Sequence, residues 1–84
     1  MGLAFTVYIL QSQKDGRYYI GHTQDLSNRL DQHNRGASKS TRNHRPWELV
    51  YYEKFDTKKD AIKRENQIKK QKSRSYIEKL RTSR

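Results

Sequence analysis

Five residues of this chain have the side chains that phosphodiester chemistry asks for: Tyr8, Tyr19, Arg29, His33 and Glu65. Hydrolysis at a phosphate needs a base for the attacking water, a cation on the phosphate, and a group that stabilises the departing oxygen. A tyrosine serves as the base only if its phenol, near ~10 in water, is pulled down by adjacent positive charge or a metal ion. Glu65 is the sharpest anomaly. Helical spacing sets it between Ala61, Ile62 and Ile68, inside an apolar stripe where a carboxylate needs a cation or strong donors. A hard cation such as Mg²⁺ uses one or two carboxylates and completes its shell with water and phosphate oxygens. Each residue also has an ordinary reading. The tyrosines can be half-buried strand residues with wet hydroxyls, Arg29 can lie over an apolar stripe, His33 can be a satisfied core histidine, and Glu65 can pair with Lys69 one turn on.

The elements that must position these groups follow from local signals. Phe5 to Leu10 and Arg17 to Gly21 alternate with β-branched and aromatic residues, and Lys14-Asp15-Gly16 between them signals a turn. With Asp15 and Gly16 as the central pair, Lys14 faces Arg17 and paired numbers sum to 31. Any loop with an even number of residues keeps the same parity. Tyr8 and Tyr19 then share one face, expected to lie near Arg29, His22 and His33. Val7, Ile9, Tyr18 and Ile20 share the other, which is the expected core face. Thr23 or Asp25 caps a helix to about Asn34 that Gly36 stops, with Leu26, Leu30 and His33 on one stripe. Gly36 to Arg45 reads as a polar loop. Pro46 leads into a strand over Trp47 to Phe55, Thr57 starts a helix to about Gln71, and Ser75 to Arg81 forms a short last helix. The expected fold is α+β, a three-stranded antiparallel sheet flanked by helices in the order β-β-α-β-α-α, in one domain over residues 1–84.

Charge points to the partner. Lys plus Arg number 19 against 9 acids, a net charge of +10, as expected of a protein that meets polyanions. From Lys54 onward there are twelve basic and four acidic residues, against seven and five before it, so the C-terminal third reads as an electrostatic arm. The chain has no cysteine, which excludes disulfides and thiolate metal sites and points to the cytoplasm. No apolar run approaches the ~18 residues of a membrane span.

The segments VYIL at Val7 to Leu10 and YYIG at Tyr18 to Gly21 resemble the two short motifs that name the GIY-YIG nuclease superfamily. HTQDLSNRLDQHNRG from His22 to Gly36 is similar to the family's helix with its Arg and His. PWELVYYEKF from Pro46 to Phe55 resembles its third strand, and AIKRENQIKK from Ala61 to Lys70 its acidic helix. Within the superfamily the chain looks most like the small stand-alone members of the UPF0213 type, relatives of the N-terminal nuclease domain of a DNA-repair excinuclease. The resemblance implies that Tyr8 and Tyr19 are the motif tyrosines, with Tyr8 favoured as the base. It also implies that Arg29 contacts the scissile phosphate, that His33 stands beside it, and that Glu65 is the single metal-binding carboxylate for one Mg²⁺ or Mn²⁺. Gly21 closes the second motif where a side chain would crowd the site. Val7 stands where the name motif has Gly, His22 where Lys is frequent, and Ser73, Arg74 and Ser75 offer no clear match to the polar residue of the last helix.

The expected activity is a metal-dependent endonuclease on DNA, with RNA as a further target, acting as a monomer. His22, Arg29, Lys69, Lys70, Lys72 and Arg74 are the expected nucleic-acid contacts, and the basic helices from Lys58 to Arg84 would follow the backbone. The alternatives are a DNA- or RNA-binding module of the same fold without turnover, and an interaction protein that needs a partner to present substrate.

Overall fold

The computed structural model describes residues 4–71 and 73–82. Its elements are β1 (Phe5–Ser12), β2 (Tyr18–Thr23), α1 (Leu26–Arg35), a single 3-10 turn (Arg42–His44), β3 (Trp47–Phe55), α2 (Lys58–Gln71) and α3 (Arg74–Thr82). The order is the expected β-β-α-β-α-α, and the sheet is antiparallel with β1 in the middle, between β2 and β3.

The hairpin departs from the tight turn that Asp15-Gly16 predicts. Thr6 faces Thr23, Tyr8 faces Gly21 and Leu10 faces Tyr19, so the register is displaced by two residues. Ser12 is the cause. Its hydroxyl accepts from the amides of both Lys14 and Asp15 at 3.1 Å, and Ser12 N donates to Arg17 O at 2.8 Å, so the loop closes at Ser12 and Arg17 rather than at Lys14 and Arg17. Gly16 takes the left-handed conformation that this turn needs, at φ 80°. The loop keeps an even length, so the parity survives and Tyr8 and Tyr19 do share a face.

A central strand is covered on both sides, and β1 is. Val7 and Ile9 pack with Tyr51, with Ala61 and Ile68 of α2 and with Ile77 of α3. Tyr8 and Leu10 pack with Trp47, flanked by Tyr19, Leu49, Tyr52 and by Leu26 and Leu30 of α1. The expected core face is therefore one of two, because α1 closes the side that carries the tyrosines. Burying each such aliphatic side chain is worth roughly 1.5–3 kcal/mol. Val50 is the extra residue of a bulge that shifts the β1–β3 register between Ile9 and Leu10.

The helix ends behave as their sequences predict. Asp25 caps α1 through Asn28 N at 3.1 Å, Gly36 ends it at φ 81°, and Thr57 Oγ1 accepts from Asp60 N at 3.1 Å at the start of α2. α3 is tied down by polar contacts. Arg74 donates to Gly16 O at 3.2 Å and stacks 5.1 Å above the Tyr18 ring, and Arg81 reaches Gln11 at 3.0 Å. Among the described residues, no helix is long and apolar enough to cross a membrane.

Candidate active site

Tyr8 projects from β1 over the edge strand β2, and the residue beneath its hydroxyl is Gly21. A Cβ on Gly21 would stand 2.8 Å from the Tyr8 hydroxyl, 2.9 Å from its Cζ and 3.2 Å from Cε2 of Tyr19. The glycine is required by space, and it lets a fully packed phenol, 1% exposed, reach the edge of the sheet.

α1 crosses this face and presents Arg29 and His33, one turn apart, to the phenol. His33 Nε2 lies 3.0 Å from the Tyr8 hydroxyl, and Arg29 Nε donates to that hydroxyl at 3.4 Å. The Tyr19 phenol also acts on Arg29 and helps raise its pKa, so one guanidinium interacts with both phenols. The Tyr19 and His33 rings sit 4.9 Å apart. Behind the imidazole, Nδ1 lies 2.8 Å from Thr41 Oγ1, and Trp47 Nε1 donates to Thr41 O at 2.9 Å. Asn34 holds the start of β3, donating to Trp47 O and accepting from Trp47 N. Proton positions follow from this arrangement. The buried Tyr8 O–H needs an acceptor and His33 Nε2 provides it, so Nδ1 carries the imidazole proton and donates to Thr41.

Electrostatics agree with that assignment. Burial pushes the Tyr8 phenol above its ordinary value; the Arg29 hydrogen bond opposes this, and the charges of Tyr19 and Glu65 add to the rise. Tyr8 is therefore a neutral phenol, contrary to the expectation that adjacent cations would depress it. Burial, then the Arg29 charge, lowers His33 and keeps its imidazole neutral. The hydrogen bond to Tyr8 raises Arg29 further.

Glu65 comes from the opposite face of the sheet. It is 8% exposed, with Oε1 2.5 Å from His22 Nδ1 and Oε2 2.6 Å from Lys69 Nζ. Burial alone would raise its pKa, but the hydrogen bonds from Lys69 and His22 together outweigh burial and hold it below the usual carboxylate range. His22 does not lie with the phenols as expected. It occupies an even position of β2, and the parity that unites Tyr8 with Tyr19 turns His22 toward α2. The acid and the phenols thus approach β2 from its two sides, close enough for the Glu65 charge to act on Tyr8. The i to i+4 pair of Glu65 with Lys69 and the buried, cation-seeking carboxylate are both present.

Among the described residues no cluster of three or more His, Cys, Asp or Glu could cage a metal. One carboxylate fits a hard cation that keeps most of its water. Lys69 is half exposed, so a divalent ion can replace its ammonium on Oε2 while His22 keeps Oε1. On this donor set the residues fit Mg²⁺ or Mn²⁺.

Of the expected nucleic-acid contacts, His22 and Lys69 are engaged by Glu65, Arg74 is held by Gly16 and Tyr18, and Lys70 is exposed. Lys72 lies outside the described residues. Ser73 Oγ caps α3 by accepting from Tyr76 N at 3.3 Å and so serves that helix. Sequence reasoning misses Thr41, Asn34 and Trp47 as supports of His33. A threonine in a polar loop carries no local mark of such a role.

The GIY-YIG catalytic domain family model matches residues 4–80. A UPF0213 protein of Staphylococcus saprophyticus is 47% identical over 75% of this chain and 77% of its own length. One of Staphylococcus aureus is 45% identical over the same shares. The solution structure of a UPF0213 protein from Bacillus halodurans, 34% identical, superposes with a TM-score of 0.60 over 96% of this chain and 85% of that one. With the family's match running from β1 into α3, UPF0213 relatives this similar in sequence and a UPF0213 structure of matching fold, the chain belongs to the GIY-YIG family of nuclease-type catalytic domains, in its UPF0213 group.

Proposed function

We propose that the protein is a metal-dependent endonuclease that hydrolyses phosphodiester bonds in single-stranded or branched DNA. The observation that carries this reading is the Tyr8 hydroxyl, held at the sheet edge between His33 Nε2 and the Arg29 guanidinium. Arg29 binds the scissile phosphate with the N–H groups it does not give to Tyr8 and Gln32. Tyr8 takes a proton from the attacking water as its own proton passes to His33 Nε2, so the phenol never has to exist as a free anion. The water oxygen bonds to phosphorus and the bond to the 3′ oxygen breaks, with that oxygen protonated from solvent. Thr41 holds the imidazole in the tautomer that accepts. Tyr19 packs against His33 with its ring tilted and acts electrostatically on Arg29. Bound at Glu65, Mg²⁺ or Mn²⁺ supplies Lewis-acid stabilisation of the departing 3′ oxygen. Backbone contacts from Arg29, Lys70 and Lys69, once Lys69 leaves Glu65, give affinity that falls with salt and carries little base preference.

A binding module without turnover draws on one observation, that both oxygens of Glu65 are already paired within the chain. One experiment separates the two. Purified protein is incubated with labelled single-stranded, flap and junction DNA and with RNA, in Mg²⁺, Mn²⁺ or EDTA, beside Glu65→Ala and Tyr8→Phe. Metal-dependent cutting that disappears in both variants while binding persists is the expected result. Equal cutting by wild type and Glu65→Ala would assign the activity to a contaminant.

A further inference from the structure

Four cations of the C-terminal third are tied down within the protein. Arg64 pairs with Glu53, Lys69 with Glu65, Arg74 with Gly16 and Tyr18, and Arg81 with Gln11. A further set of solvent-facing cations lies on a built surface beside the hairpin turn. Lys14, Arg42 and Arg45 line a concavity with Asn34, Asn43 and Pro46, and no carboxylate lines it. The acids beside it are used: Asp15 by His44 and Arg17, Asp31 by Arg35.

This surface is held in place before any ligand arrives. Ser12 Oγ donates to His44 O at 2.6 Å, Lys14 Nζ to Asn43 O at 3.0 Å and Arg45 Nε to Arg42 O at 2.7 Å. Thr41, the residue before Arg42, is buried behind His33. Lys14 keeps two of its three donors, Arg45 keeps its terminal nitrogens, and the Arg42 guanidinium has no ion-pair partner among the described residues. The edge strand links the surface to the site. β2 runs from His22 beside Glu65, past Gly21 under Tyr8 and past Tyr19, toward the hairpin turn that carries Lys14.

We infer that the Lys14, Arg42 and Arg45 face is a second phosphate-binding surface, which holds the nucleic-acid backbone a few nucleotides away from the phosphate at Arg29. This rests on the nucleic-acid reading above and extends it from one phosphate to a strand laid along the β2 edge. Preorganised cations lose little freedom on binding, so the surface contributes affinity rather than turnover.

The test is fluorescence anisotropy with labelled single-stranded DNA in EDTA, across a salt series. The wild type is compared with Lys14→Gln/Arg42→Gln and with Lys54→Gln/Lys79→Gln, which removes the same charge from β3, the opposite edge strand, and from α3. The expected result is a salt slope lower by about 1.4 and roughly tenfold weaker binding for the first pair, since each phosphate contact on a single strand contributes ~0.7 to the slope. The second pair stays near wild type, and Arg42→Lys restores most of the slope lost in Arg42→Gln, which shows that the loop is intact. Equal behaviour of the two pairs, or a first pair that matches a DNA-binding wild type, overturns the inference. Binding with the expected pattern but no cleavage in Mg²⁺ sinks only the catalytic reading, whereas a wild type that binds no nucleic acid sinks both.

Discussion

The Tyr8 hydroxyl and Nε2 of His33 lie 3.0 Å apart inside the protein, although 25 residues separate them in the chain. Each satisfies the other's buried polar atom, and the far side of the imidazole is satisfied by Thr41 at 2.8 Å. The same short chain of bonds fixes the core under α1 and sets up a path for a proton.

Removing the phenol oxygen tests both roles. Tyr8→Phe leaves His33 Nε2 buried without a donor, so it destabilises the fold by about 1–3 kcal/mol. Cleavage falls by roughly 10²–10⁴, the usual range for a lost acid-base group. Tyr19→Phe removes a hydroxyl from a half-buried ring and changes stability by less than about 1 kcal/mol. Urea midpoints and single-turnover cleavage on the two variants make the comparison; equal stability losses would contradict the different burial of the two phenols.

Thr41→Val keeps the shape and deletes the acceptor of His33 Nδ1–H. A stability loss of about 1–3 kcal/mol is expected, with slower turnover, unchanged DNA binding in EDTA, and recovery in Thr41→Ser. Imidazole nitrogen NMR gives a readout that needs no activity: wild type shows the proton on Nδ1 of His33. A signal on Nε2 would refute the tautomer on which the relay depends.

The pH dependence follows from the lowered pKa of His33, caused by burial and then by the Arg29 charge. Above ~6.5 the imidazole is neutral in both folded and unfolded chains. Below that, the unfolded chain takes the proton and the folded one resists it, so stability falls with pH until the folded pKa is passed. Glu65 adds a loss of the same sign below about 4.5, because its carboxylate is held below the usual range in the fold. Denaturant titrations from pH 7 to 4 should show the upper part of this loss vanish in His33→Asn. Turnover stays level from neutral pH to below ~6.5 and drops only once the lowered pKa of the folded His33 is passed.

Gly21→Ala places a methyl 2.8 Å from the Tyr8 hydroxyl and 2.9 Å from its ring. A packed ring cannot swing aside, so the strand or the phenol shifts, at about 1–3 kcal/mol, and cleavage is lost with it. Added to Tyr8→Phe, the alanine causes little further loss of rate, because both act through one hydroxyl. Fully additive rate losses would show that Gly21 acts elsewhere.

Much of the architecture is legible from local pattern. Period-two alternation puts Tyr8 with Tyr19 and Val7 with Ile9, and the caps at Asp25, Gly36 and Thr57 bound the helices, because these signals depend on neighbours a few residues away. The hairpin register escapes the same pattern because Ser12 captures two amides of its own turn. Grouping His22 with the phenols fails for a different reason: an even position on β2 faces α2 and Glu65, so the parity is right and the assigned partners are wrong.

By itself, then, the chain determined which residues can do chemistry, which strand face or helix stripe each occupies, and that the whole is strongly basic. The tertiary structure alone decided that β1 is covered on both sides, that Tyr8 is neutral rather than activated by charge, and that Thr41 stands behind His33. It also decided that Arg64, Lys69, Arg74 and Arg81 are tied to the protein while Lys14, Arg42 and Arg45 face solvent. The physical reason is common to all of these. A side chain's burial, charge state and partners are set by elements that are distant in sequence and meet only when helices close on the sheet, and no local period or spacing encodes that meeting.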